Sequence, residues 1–176
     1  MIDNTPDHPI KARVAIDQML RTTQQHHVQL SQMADQKASL LFGIEALILT
    51  ITIRDILTVH LTYWAVALAL TILISVIFAL LAVMPTVRPP RYDPKYPDWL
   101  FFSSFAHMEE EDYLEKMWAI CQDDSQVYGA IMRDIYNLGR VLHFKKYRFL
   151  RISYLIFLSG LITTFVIAML ESILKI

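Results

Sequence analysis

The chain has 176 residues, 55% of them hydrophobic and only 19% charged, and a mean hydropathy of +0.37, which is too apolar for an ordinary soluble domain and points to the membrane. Four glycines against eight methionines, eight tyrosines and nine phenylalanines disfavour a turn-rich β barrel and indicate an all-α membrane protein. A formal net charge of −1 excludes a global field for nucleic acid, and one cysteine, Cys121, excludes an intrachain disulfide.

The first ten residues, MIDNTPDHPI, are polar and acidic where a signal peptide would need a basic segment and an apolar run, so no signal peptide is predicted. Residues 1–37 form a cytoplasmic helical segment. From Ala12 to Lys37 there is no proline or glycine, and Ile16, Leu20, His27, Leu30 and Ala34 recur on one helical face. That helix is expected to continue into a first apolar run, Ala38 to Ile53, which holds Glu45 near its middle and has Lys37 and Arg54 placed to snorkel at its ends.

A second run, Thr62 to Val83, is long enough to cross about 30 Å of hydrocarbon and completes a two-span hairpin over residues 38–84. Five of the seven prolines then crowd between Pro85 and Pro97, which reads as an extended connector. An acidic amphipathic helix follows around Glu109 to Ile120. Asp123 and Gln126 have capping-box spacing for another helix, on which Ile131, Ile135, Leu138 and Leu142 form a stripe suited to self-association or to packing on the Ala12 to Lys37 helix. The connector and cytoplasmic helices occupy residues 85–151. Residues 152–176 supply a third span, uncharged from Ile152 to Leu170, and a short outer tail.

This arrangement predicts three transmembrane helices with cytoplasmic helical extensions. Fourteen of the sixteen basic residues lie before the first run or between the second and third, which places the N terminus and middle segment in the cytoplasm and the C terminus outside.

An acidic side chain at a helix centre is costly in a bilayer, so Glu45 is a candidate pore or gating group, with Thr52 on the same face; a packing carboxylate is the alternative. Thr71, Ser75, Ser159, Thr163 and Thr164 are its candidate hydroxyl partners, and Gly160, Thr164 and Ala168 form a small-residue row for close packing. Arg88, Arg91, Tyr92 and Trp99 combine charge with aromatic stacking and are candidate nucleotide contacts. Lys145, Lys146 and Arg148, with Arg151, are candidate phosphate contacts that equally suit anionic headgroups. His107 and Glu111 stand one turn apart, but no HExxH, Walker A or GxSxG sequence accompanies them, so no enzyme, metal or catalytic residue is predicted.

ADQKASLLFGIEALIL, the arginine-proline connector, FFSSFAHMEEEDYLEKM and IYNLGRVLHFKKYRFLRISYLIFLSGL together resemble the membrane effectors of bacterial Pycsar antiphage defence, from Ala34 to Leu161. In family terms Asp35, Lys37, Ala38, Leu41 and Gly43 look like a motif at the membrane entrance. Phe101, Phe102, Glu111, Tyr113 and Leu114 look like a middle motif, and Lys146 and Tyr147 a preface to the last span. The resemblance implies a multi-pass inner-membrane effector, switched by a cyclic pyrimidine mononucleotide from a partner cyclase and acting by abortive infection. No separate cyclic-nucleotide-binding domain is recognisable, so the sensor would be the cytoplasmic segment, an oligomeric interface or another protein. A homo-oligomer in the lipid bilayer is expected, with no resident cofactor and no nucleic-acid partner. A noncatalytic scaffold or accessory subunit of a membrane complex, and a small oligomeric channel, are the competing readings.

Overall fold

The computed structural model describes residues 12–58, 62–85 and 98–174, and the regular elements among them are all helical. Helix α1 spans Val14–Thr58, α2 Tyr63–Val83, α3 Phe102–Phe105, α4 Glu110–Cys121, α5 Asp124–Val141 and α6 Arg148–Leu174, with a π-helical turn at Leu142–Tyr147 joining α5 to α6. The expected continuation of the N-terminal helix into the apolar run is seen, α1 being 45 residues long. The expected N-cap is also seen, with Asp123 accepting from the Ser125 N–H at 2.9 Å.

The chain divides into two compact units. Among the described residues, the first comprises 12–30, 85 and 98–142. Here α5 lies along the first part of α1, and the contacts are largely polar. The Tyr128 hydroxyl donates to Asp17 at 2.7 Å, Gln24 Nε2 donates to Asp134 at 2.7 Å, and the Ala12 N–H donates to Asp124 at 2.9 Å. The apolar stripe read on α5 is only half-buried at Ile131, Ile135 and Leu138. The fully buried positions of α5 are Tyr128, Asp134 and Asn137, each held by a hydrogen bond to its neighbour element.

The second unit comprises, among the described residues, 31–58, 62–84 and 143–174. Helix α2 buries Ala65, Leu68, Ile72, Ser75, Ala79 and Ala82, in alternating steps of three and four, against α6. Helix α6 answers with Leu150, Ser153, Gly160 and Thr164. Small residues on both sides let the backbones approach closely, so closely that a Cβ on Gly160 would overlap the Thr71 methyl. The antiparallel pairing shows at both ends, the Tyr63 N–H donating to Glu171 at 2.9 Å and Phe78 packing on Phe149. The later part of α1 joins them through Ala34 and Ala38, which share a core with Ala82 and Leu150, and through Leu41, Glu45 and Thr52 deeper in the bundle. The heptad-like steps from Ala34 to Thr52 keep one face of α1 turned inward.

Among the described residues two helical stretches, not three, are long and apolar enough to cross a membrane: Tyr63–Val83 and the continuous run Asp124–Leu174. The first expected span, Ala38 to Ile53, is not one of them. Glu45 interrupts its apolar run, and Lys37 before it and Arg54 with Asp55 after it leave too short an uncharged stretch.

Candidate functional site

In the first unit, the turn from Asp98 to Phe101 leads into α3. The Asp98 carboxylate anchors it, accepting from the Leu100 N–H at 3.3 Å and from Asn137 Nδ2 of α5 at 2.7 Å. This fixes Trp99 beside α4 and α5, and Lys116 of α4 lies over the Trp99 ring, 4.8 Å from its centroid. Asp98, Trp99, Ile120, Gln126, Ala130 and Arg133 line a cavity of about 230 Å³. The site thus sets an aromatic face, the Arg133 guanidinium and hydrogen-bonding groups around a small cavity, with Lys116 against the Trp99 ring beside it. Nearby, burial pushes the Asp134 carboxyl above the usual carboxylate range, the Gln24 hydrogen bond opposes that, and the charge of Asp98 adds to it.

In the second unit the buried centre is polar. Glu45, Ser75 and Ser153 are inaccessible to solvent beside Leu41 and Ile72. Each serine hydroxyl bonds the other's backbone carbonyl, Ser75 Oγ to Ser153 O at 3.0 Å and Ser153 Oγ to Ser75 O at 2.8 Å. Both Glu45 carboxyl oxygens, and Thr164 Oγ1, lack a hydrogen-bond partner. Thr52 is buried too, its hydroxyl bonded to Ile48 O of its own helix.

A family model described as Pycsar effector protein domain matches residues 18–171. The chain belongs to the Pycsar effector family. No curated protein and no solved structure matches it. Membership makes this Pycsar effector a protein of antiphage defence, with a membrane context and a partner cyclase.

The structure of this Pycsar effector gives its short motifs physical roles. Asp35 of α1 and Lys146, in the turn before the last helix, form an ion pair at 2.7 Å, with Ser31 Oγ also accepting from Lys146 at 2.7 Å. Ala38 and Leu41 are core residues, whereas a Cβ on Gly43 would meet nothing. Phe101 is buried, and Phe105 stacks on Tyr113 with centroids 4.8 Å apart.

Of the residues read from sequence as nucleotide contacts, Trp99 lies in the cavity and Arg88, Arg91 and Tyr92 lie outside the described residues. Lys146 is engaged by Asp35 in the second unit, where Lys145 is half-buried and Arg148 exposed. Sequence reasoning missed Asp98, Lys116, Gln126 and Arg133. For the α5 pair a signal existed, since Gln126, Ala130 and Arg133 follow four-then-three spacing on one face. Ser75 was named as a partner of Glu45 and shares its interior. Ser153 was not named, and Ser159 and Thr163 are exposed with their hydroxyls bonded within α6. Among the described residues no group of three or more His, Cys, Asp or Glu could hold a metal ion.

Proposed function

We propose that a cyclic pyrimidine mononucleotide, made by the partner cyclase on phage infection, converts this effector from a quiet inner-membrane protein into one that depolarises the membrane and stops phage spread. The observation that carries this reading is the cavity beside Trp99. A pyrimidine ring is matched by an aromatic face, worth about 1–3 kcal/mol per stacked base, and a cyclic phosphate by Arg133 and Lys116.

The apolar stretches of α2 and α6 span the bilayer in this reading. The apolar part of α1 is carried in with them by its packing, with exposed Leu40, Leu47 and Ile51 against lipid and Glu45 turned inward. Basic residues concentrated before and between the apolar stretches keep the first unit on the cytoplasmic side, where the nucleotide is made. The bundle interior of one chain is filled by Leu41 and Ile72, so a leak requires the helices to rearrange and several copies to form its wall. Association also helps the energetics. A shift from 1% to 99% active needs about 5.5 kcal/mol of differential binding, which several sites supply more readily than one small pocket.

The test is purified protein in vesicles with a voltage-sensitive dye, each cyclic mononucleotide added alone. Collapse of an imposed potential with a pyrimidine nucleotide is the expected result. Unchanged potential with every nucleotide, despite correct insertion, would refute direct gating and favour a scaffold role.

A further inference from the structure

The interior of the second unit poses a hydrogen-bond accounting problem. The Ser75 and Ser153 hydroxyls each reach the opposite backbone carbonyl and lie 3.0 Å from one another, so both protons have acceptors within the pair. Glu45 of α1 has a solvent-inaccessible carboxyl, and neither of its oxygens has a hydrogen-bond partner. What the two hydroxyls still offer is lone pairs, which only a donor can satisfy. The three helices that meet there bring no cation to it either. Helix α2 carries no charged residue or histidine from Tyr63 to Val83, α6 none from Ile152 to Leu170, and α1 none but Glu45 itself from Ala38 to Ile53. The bounding cations on α1, Lys37 and Arg54, are eight and nine residues away along the helix, about 12–14 Å at 1.5 Å per residue. The bounding charges on α6, Arg151 and Glu171, lie outside its uncharged stretch, and Glu171 is occupied by the start of α2.

We propose that Glu45 is a proton-binding site which latches the bundle: with the bundle closed it is a neutral carboxylic acid, and loss of that proton drives α1 away from the α2 and α6 pair. A carboxylate stranded beside Leu41 and Ile72, with no donor and no cation, is among the costliest groups a protein interior can hold. A neutral acid there leaves no charge unpaired. The latch holds while the carboxyl keeps its proton and weakens once the proton is lost. The latch rests on the interior of the bundle alone and holds whichever ligand acts on the other unit.

Two measurements on the full chain in lipid nanodiscs test it. Infrared spectra at neutral pH should show the carbonyl stretch of a buried carboxylic acid in the wild type that is missing from Glu45→Gln. A spectrum containing carboxylate bands alone would overturn the proposal. Hydrogen exchange of the amides from Ala38 to Thr52, corrected for intrinsic rates, should accelerate as pH is raised through the range in which Glu45 loses its proton in wild type and stay flat in Glu45→Gln. Equal acceleration in both would overturn it. Should Glu45→Gln fail to fold, the shift of the wild-type acid band on deuteration and on isotopic labelling of glutamate decides the matter, its absence being decisive against the latch.

Discussion

Asp35 and Lys146 stand 111 positions apart in the chain and meet in a 2.7 Å ion pair, but they are unequally exposed: 45% of the aspartate side chain is accessible and only 15% of the lysine. Removing the lysine leaves a carboxylate that water can reach. Removing the carboxylate leaves a largely buried ammonium with only Ser31 for company. Asp35→Ala is therefore expected to cost about 1–3 kcal/mol and Lys146→Met less than about 1 kcal/mol. Thermal unfolding in detergent would rank the two, and the reverse order would contradict this account.

The Gly160 contact predicts a second asymmetry. Gly160→Ala inserts a Cβ into the space held by the Thr71 side chain and should destabilise the α2–α6 pair by about 1–3 kcal/mol. Thr71→Ala removes the overlapping methyl and should recover part of that loss. A double-mutant cycle reads the coupling directly, and strictly additive effects would mean that the two residues do not meet.

Asp134 gives the protein a pH dependence of known sign. Its carboxyl is held above its ordinary value chiefly by burial, so its neutral form is favoured by folding. The associated stability is fully present below the ordinary aspartate range and is lost as pH rises through the raised folded value. Asp134→Asn keeps an acceptor for Gln24 and cannot ionise. The variant is expected to match wild type in acid and to exceed it at neutral pH, as measured by denaturant unfolding at each pH.

Trp99→Ala should weaken nucleotide binding by about tenfold or more, the worth of one stacking face, while leaving the α2–α6 bundle as stable as before. Arg133→Gln should also weaken binding, by loss of phosphate contact. Isothermal titration on the intact protein, paired with thermal unfolding, separates the two effects. Unaltered affinity in both variants would place the nucleotide elsewhere.

The order of helices was largely legible in the sequence because it depends on local rules. The proline-free segment before Lys37 and the uncharged runs of α2 and α6 appear in the sequence as they do in the fold, as does the capping aspartate of α5. The stripe from Ala38 through Glu45 to Thr52 was visible too, because helical periodicity places those residues on one face. Overreading occurred where hydrophobicity was taken for length. The run containing Glu45 reads as a span beside its neighbours, yet its charges leave it short of one by composition.

What no local rule supplies is which polar group meets which. The pairing of Asp35 with Lys146, the mutual serine bonds of α2 and α6, and the gathering of Trp99 and Arg133 around one cavity all join residues far apart in the chain. Sequence by itself determined the helices and their inward faces, because backbone hydrogen bonding and apolar periodicity act over a few residues. Only the tertiary structure decided the partners, because an ion pair or a hydrogen bond depends on angstrom-scale distances between segments far apart in the chain, and burial alone makes those distances costly to leave unsatisfied.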